Sequence, residues 1–233
     1  IGTGATAVQC VPHLAASAKK LYVFQRTPSS IDERNNSNTD EQWFKSQKKG
    51  WQNDRRENFE GFLTGSFSNK DLVNDGWTEI FRTILGGLMN NGPSKLKIFS
   101  WVISAPFFSD FYKLGMKTYI RNKFMKFISR EDISQKVEMI DFQKMEKVRK
   151  RAEEIVNDPQ TAESLKPYYR QLCKRPCFHD EYLQSFNNDN VELVDTDGKG
   201  VKEINAKGIV HDGKEYEVDC IIFASGFEVG TDY

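Results

Sequence analysis

Nowhere in this 233-residue chain does an apolar run reach the ~20 residues that a membrane-spanning helix needs. The nearest, residues 98–108, is broken by Ser100 and Ser104 and contains Pro106, so no transmembrane segment is expected. An excess of one charge is missing too. The 33 basic residues face 33 acidic ones, so no overall field points to nucleic acid or to an acidic partner. Cysteine is scarce and unpatterned: Cys10, Cys173, Cys177 and Cys220 include no C-x-x-C pair, which argues for a reduced, cytoplasmic setting. Cys173, Cys177 and His179 are neighbours in sequence, but a fourth ligand is wanting, so no metal site is expected. There is no initiating Met either, and only Ile1 precedes a glycine turn that ordinarily follows a whole strand. The sequence therefore reads as a piece of a longer protein, opened inside its first strand, and the lack of a signal peptide carries no weight.

A further absence is local. Gly2, Gly4 and Ala7 form a G-x-G-x-x-A pattern. The first glycine makes a tight turn, the second lets the backbone approach a pyrophosphate, and the small third residue lets a helix pack on a sheet. Residues 6–18 carry Ala7, Val11, Leu14, Ala15 and Ala18 at helical intervals. The N-terminus of that helix would offer free N–H groups and the positive end of its dipole to a phosphate. Residues 21–24, LYVF, form the short apolar run of a buried parallel strand. An NAD-binding fold usually closes this strand with Asp or Glu, which accepts a hydrogen bond from the ribose 2′-hydroxyl. Here no acid stands there; the strand closes on Gln25-Arg26-Thr27. A carboxylate would repel a 2′-phosphate, whereas an arginine grips one with two hydrogen bonds, so the pattern favours NADP over NAD.

The remaining pattern predicts an α/β chain: a Rossmann-like parallel sheet that binds a dinucleotide, interrupted by a large helical insertion. Residues 29–39 are polar and read as a loop leaving the sheet. Residues 40–167 read as helical, with no convincing strand. Trp77, Ile80, Phe81, Ile84, Leu85 and Leu88 mark an amphipathic helix ended by Gly92-Pro93. A second helix over 106–129 carries Lys113, Lys117, Arg121, Lys123 and Lys126 among aromatics, with Arg130 directly after it. Such a helix suits a membrane surface or nucleic acid, but in a neutral chain it reads as a solvated face, and no nucleic-acid partner is expected. Trp43, Trp51 and Trp101 read as packing residues. A charged helix over 131–157 is stopped by Asp158-Pro159. A short helix at 180–187, a strand at 191–196, paired strands at 201–204 and 208–211, and another at 215–218 follow. Residues 220–224, CIIFA, read as a buried strand running into Ser225-Gly226-Phe227. The domain boundaries expected are 1–30 and 171–219 for the dinucleotide domain, 31–170 for the insertion, and 220–233 for a strand and linker leaving it. A return to the sheet after about 130 residues is too far for a loop, so the insertion folds as its own layer.

Where the chain rejoins the sheet it carries Lys174-Arg175-Pro176. Two adjacent cations fixed by a proline can clamp a phosphate or an oxyanion, although a basic surface pair has the same composition. His179-Asp180 close by would suit acid–base work, but no Ser or Cys nucleophile motif accompanies them.

Taken together, IGTGATAVQ, YVFQRTP, KRPCFHDEYLQSFNNDNVELVDT and IIFASGF resemble the Baeyer–Villiger monooxygenases, in order and in spacing, over essentially the whole chain. The resemblance implies an enzyme that uses NADP(H) and FAD to insert one oxygen atom of O2 beside a ketone carbonyl, giving an ester or lactone. It implies that Gly2, Thr3, Gly4, Ala5, Thr6, Ala7 and Gln9 form the pyrophosphate turn and its surroundings. Arg26, with Thr27 and Lys174, would hold the 2′-phosphate. Arg175 would match the catalytic arginine, which reaches flavin and nicotinamide and favours negative charge at the reacting oxygen. Ser225-Gly226-Phe227 resembles an A-T-G-F segment where the chain returns to the FAD domain; Ser in place of Thr keeps the hydroxyl. The family's FAD-binding glycine motif, the fingerprint between its two nucleotide motifs and its catalytic Asp are not in this sequence, so the chain by itself is not expected to turn over. Two alternatives stay open: an N- or S-oxygenating flavin monooxygenase, which shares the glycine motif but not the QRTP and KRP pair, and a truncated, inactive NADP-binding module.

Overall fold

The structure, a computed structural model, describes residues 1–63, 70–90 and 130–226. The chain divides into two compact units: Ile1–Asn36 with Lys144–Tyr233, and Ser37–Gln143. Residues 144–170, which the pattern assigns to the insertion, thus pack within the first unit.

The first unit is built on β1 (Leu21–Gln25), whose side chains alternate between two cores. Val23 points into the larger one, among Val8, Val11, Ala152, Val156, Tyr182 and Leu183. Phe24 points the other way, against Val194, Ile209 and Tyr216. The helix α1 (Ala5–Ser17) presents Ala7, Val8, Val11 and Ala15 to the first core, the stripe that three- and four-residue spacing puts on one face. Pro12 lies inside this helix and is buried; it has no N–H to give to the carbonyl four residues back. The helix α5 (Arg130–Ile155) buries Met145, Val148 and Ala152 at the same spacing. Asp158 and Pro159 do more than stop it. Asp158 accepts the Thr161 N–H at 2.7 Å and starts α6 (Pro159–Ser164), with the proline at the first position, where its missing N–H costs nothing.

β4 (Val191–Asp195) runs parallel to β1, with Leu21 beside Val191 and Gln25 beside Asp195. On the other side, Gly2 donates to the Phe24 carbonyl at 2.9 Å. Ile1 in turn donates to the Ile222 carbonyl at 2.7 Å and accepts from the Ala224 N–H at 2.8 Å. Those reciprocal bonds are those of a parallel pair. They place segment 222–224, Ile1-Gly2, β1 and β4 side by side. β5 (Glu203–Ile204), β6 (Gly208–His211) and β7 (Lys214–Glu217) form an antiparallel layer against β1, where Tyr216 meets Tyr22 and Phe24 edge-on at 5.1 and 5.2 Å. The architecture is mixed α/β, with parallel strands and helices.

Three local expectations are corrected. Residues 29–39 are not all loop: β2 (Ile31–Asp32) pairs in parallel with β3 (Cys177–Phe178). Two residues show no readable period, and the partner lies far along the chain. Residues 180–187 do not form a regular helix; only Gln184–Asn187 winds, as a 3-10 turn. Residues 220–224 are not buried: Ile222 and Phe223 are 43% and 65% exposed.

The second unit contributes α2 (Glu41–Ser46), α3 (Trp51–Leu63) and α4 (Gly76–Asn90). Trp43 and Trp51 pack edge-on at 5.4 Å. The helix expected over 106–129, the stop at Gly92-Pro93 and Trp101 lie outside the described residues. Among the described residues no helix is long and apolar enough to cross a membrane.

Candidate functional site

The glycine turn joins Ile1 to α1, and its two glycines serve different ends. Gly2 has φ +103°, and a Cβ there would lie 2.5 Å from the Ala224 carbonyl oxygen, so the fold itself demands glycine. At Gly4 a Cβ would meet nothing within 4 Å. The fold does not need that position bare, and the space over it is open. Between them Thr3 is buried and donates its hydroxyl to the Thr27 carbonyl at 2.8 Å, while its own carbonyl accepts the Ser29 hydroxyl at 2.6 Å. The turn is thereby latched to the segment that leaves β1.

α1 begins at Gly4 with no side-chain cap and no acidic residue in its first turn. Its first internal bond runs from Val8 N–H to the Gly4 carbonyl, so the N–H groups of Ala5, Thr6 and Ala7 have no acceptor among the described residues. Ala7 is buried against the sheet, while Gly4, Thr6 and Gln9 are exposed. Ser225 lies against this turn through its backbone, 3.2 Å from the Cβ position of Gly2, and Gly226 follows with φ +95°. Phe227 lies outside the described residues.

Arg26 follows β1 at its carboxyl end. Its stem passes Gly200, whose Cβ position lies 3.8 Å from the Arg26 Cδ. That loop is tied back to β1: Gly200 N–H donates to the Thr196 hydroxyl at 2.9 Å, and Thr196 gives both its N–H and its hydroxyl to the Gln25 carbonyl, at 2.8 and 2.7 Å. Gln25 is fully buried; its Nε2 donates to the Ser164 carbonyl at 2.7 Å and to Asp195 Oδ2 at 3.1 Å. The residue before Arg26 is therefore held from both its main chain and its side chain.

Lys174 arrives from the far end of the sequence, and its pKa is held below the ordinary lysine range, first by burial and then by the positive charge of Arg26. Its ammonium sits 4.8 Å from the centre of the Tyr169 ring. The hydroxyl of Tyr169 accepts the Ser30 N–H at 2.9 Å, four residues beyond Arg26. Arg175 comes next. Burial pushes up the neighbouring Cys177 thiol, with the Arg175 charge acting in the opposite direction. Cys177 N–H bonds the Ser30 carbonyl at 3.0 Å, which pins the KRP segment to the chain that leaves β1.

Several other cations of this unit meet carboxylates, although Lys19, Lys147, Lys199 and Lys202, like the site cations, do not among the described residues. Lys144 pairs with Asp32, Lys166 with Glu163 at 2.8 Å, and Lys20 with Glu192 at 3.2 Å. Arg26, Lys174 and Arg175 make no ion pair and no side-chain hydrogen bond among the described residues. Arg26 and Lys174 are both exposed, so water screens most of the repulsion between them and leaves both charges open to an anion.

His179 and Asp180 are not part of this group as acid and base. Asp180 accepts the N–H groups of Arg34, Asn35 and Asn36 at 2.8, 3.0 and 3.1 Å, and His179 Nδ1 accepts the Glu181 N–H at 3.1 Å. Tyr169, Ser29, Thr196 and Gly200 were not legible as site residues; their roles follow from bonds to distant segments, and no spacing marks them. All four cysteines are free thiols, and no three His, Cys, Asp or Glu side chains cluster among the described residues as a metal would require.

No protein-family profile matches the chain. It is 48% identical over all its 233 residues to a Baeyer–Villiger monooxygenase, ATR8, of Stachybotrys chlorohalonatus, and covers 32% of that protein. The chain belongs to the Baeyer–Villiger monooxygenase family. Within that family it is also 47% identical over 228 residues to neopentalenolactone D synthase of Streptomyces avermitilis, 98% of this chain and 33% of the synthase. Among solved structures, the polycyclic ketone monooxygenase of Thermothelomyces thermophila matches with a TM-score of 0.67 and 38% identity, over 94% of this chain and 31% of that one. An oxidized steroid monooxygenase bound to NADP matches with a TM-score of 0.55 at 21% identity, over 94% of this chain and 37% of that one, and shows likeness of fold alone. This Baeyer–Villiger chain spans about a third of the length of the curated relatives it matches.

Proposed function

We propose that the first unit is the Rossmann-like NADP(H)-binding part of a flavin-dependent Baeyer–Villiger monooxygenase, which inserts one oxygen atom of O2 beside the carbonyl of a small ketone. The observation that carries this is that Lys174 comes within electrostatic reach of Arg26, neither paired with a carboxylate among the described residues, at the end of the strand that follows an open glycine turn. The residues present fit the cofactor. The N–H groups of Ala5, Thr6 and Ala7, over the bare Gly4, would receive the pyrophosphate. Thr6 and Gln9, both exposed on the same helix, would lie beside it. Arg26 and Lys174, with Thr27 beside them, would hold the 2′-phosphate; the guanidinium gives two parallel hydrogen bonds and the ammonium a point charge.

Bound NADPH supplies the hydride and bound FAD the oxygen chemistry. FAD would be held mainly by sequence other than these 233 residues, which carry a single glycine turn of this kind. Arg175, exposed and without an ion pair among the described residues, would lend the reacting oxygen a permanent cation. Segment 220–226, which runs alongside Ile1-Gly2, would lead toward the FAD-binding part, bringing Ser225 and Gly226 to the turn, with Phe227 following in sequence. The family's chemistry implies no nucleic-acid partner, and the four free thiols suit the cytoplasmic setting that completes this reading. The test is Arg175→Ala in the full natural protein. Ketone-to-ester conversion should fall by at least ~100-fold while NADP binding persists, as for loss of a single charge-stabilising group; unaltered conversion would remove the proposed role.

A further inference from the structure

Lys174 pairs with no carboxylate among the described residues, and the group its ammonium does meet is the ring of Tyr169. We propose that Tyr169 is the positioning residue for Lys174: its ring holds the ammonium beside Arg26 and so sets the preference for a dinucleotide bearing a 2′-phosphate. This rests on the reading of Arg26 and Lys174 given above.

The geometry is specific. The Lys174 ammonium lies 4.8 Å from the ring centre, within the range where a ring face attracts a cation. The ring is fixed at both ends. Its hydroxyl accepts the N–H of Ser30, a residue 2% exposed whose carbonyl also takes the Cys177 N–H. Two residues earlier, the buried Pro167 has its carbonyl clamped by Arg149 at 2.9 Å. Tyr169 thus ties the chain leaving Arg26 to the chain entering Lys174. Burial pushes its phenol above the ordinary tyrosine range, so the ring stays uncharged at physiological pH. An uncharged ring suits an anion site. A carboxylate in its place would hold the lysine equally well but would repel the incoming phosphate, whereas a ring face attracts the cation and adds no net charge.

The test is calorimetric binding of NADP+ and NAD+ to the full natural protein and its variants. Lys174→Ala is the control for the underlying reading; if it leaves the preference for NADP+ intact, Lys174 does not meet the 2′-phosphate and the proposal goes with it. Given that control, Tyr169→Leu should weaken NADP+ about 3–10-fold and leave NAD+ unchanged. Added to Lys174→Ala it should have no further effect, because the two act as one unit. Tyr169→Phe, which keeps the ring and loses the hydroxyl, should retain the preference within about twofold. Tyr169→Met fills similar space without a ring face and serves if the leucine variant does not fold. Equal weakening of both dinucleotides, a loss that persists without Lys174, or a phenylalanine variant as impaired as the leucine one would each overturn the proposal.

Discussion

β3 has polar residues on both sides, Lys174 and Arg175 before it and His179 and Asp180 after it, and the fold treats the two groups in opposite ways. After the strand, Asp180 has structural work. Asp180 gathers three backbone N–H groups, and Arg151 donates to the Ile31 and His179 carbonyls at 3.4 and 3.3 Å. Before the strand, the cations are framed by the backbone bonds of Cys173 and Cys177 and left without carboxylates among the described residues. A charge that the fold satisfies reports on folding. A charge that the fold positions and leaves unsatisfied reports on a ligand.

The contrast breaks most visibly if the unpaired cations are removed. Arg26→Ala with Lys174→Ala should lower the preference for NADP+ over NAD+ by roughly 100-fold or more, from two charge-assisted contacts. The melting temperature should fall little, because no ion pair is lost and only the Lys174–Tyr169 contact goes; a large cooperative loss of stability on scanning calorimetry would mean that the cations serve the fold.

The two glycines sharpen the same contrast. Gly2→Ala drives a Cβ into the Ala224 carbonyl at a positive φ and should cost about 2–4 kcal/mol in denaturant unfolding. Gly4→Ala should cost less than about 1 kcal/mol, yet weaken both dinucleotides alike by blocking the approach to the helix N-terminus.

On the opposite side of β3, Asp180→Asn should cost about 1–3 kcal/mol of stability and leave cofactor preference untouched. Burial works against the Asp180 charge, but the N–H groups of Asn36, Asn35 and Arg34, and then the charge of Arg151, outweigh it and hold its carboxyl below the ordinary range. Its contribution is therefore complete above about pH 4, the unfolded value, and is lost as the pH falls through the lower folded value. Urea titrations of both forms at neutral and acid pH should show the gap closing in acid. A gap that is constant with pH would mean that the carboxylate charge is idle.

The smallest effect is expected at high pH. Lys174 in the free protein gives up its proton below the usual lysine range, so the preference for NADP+ should begin to fall, by less than about tenfold, before an ordinary lysine titrates. Lys174→Arg should abolish that slope, since the guanidinium stays charged. A slope that persists would assign it to another group.

Much of this arrangement is legible along the sequence. α1, β1 and β4 show themselves by apolar period, and the glycine turn, Arg26 and the KRP triplet by residue type at the ends of those elements. What is not legible depends on distant pairing. β2 is two residues long and exists only because β3 lies beside it. Tyr169 has no motif of its own and matters through Ser30 and Lys174. His179-Asp180 suggests chemistry by composition, but the backbone N–H groups that Asp180 binds belong to a loop more than 140 residues earlier. The apolar CIIFA run predicts a buried strand, whereas the structure gives it backbone pairing with Ile1 and leaves Phe223 largely exposed.

The central claim is best tested by a crystal structure of the full natural protein with NADP+ bound. The account predicts the 2′-phosphate at hydrogen-bonding distance from both the Arg26 guanidinium and the Lys174 ammonium, with the Tyr169 ring still beneath the lysine. A 2′-phosphate that lies in solvent, or on other cations while Arg26 and Lys174 stay empty, would contradict it.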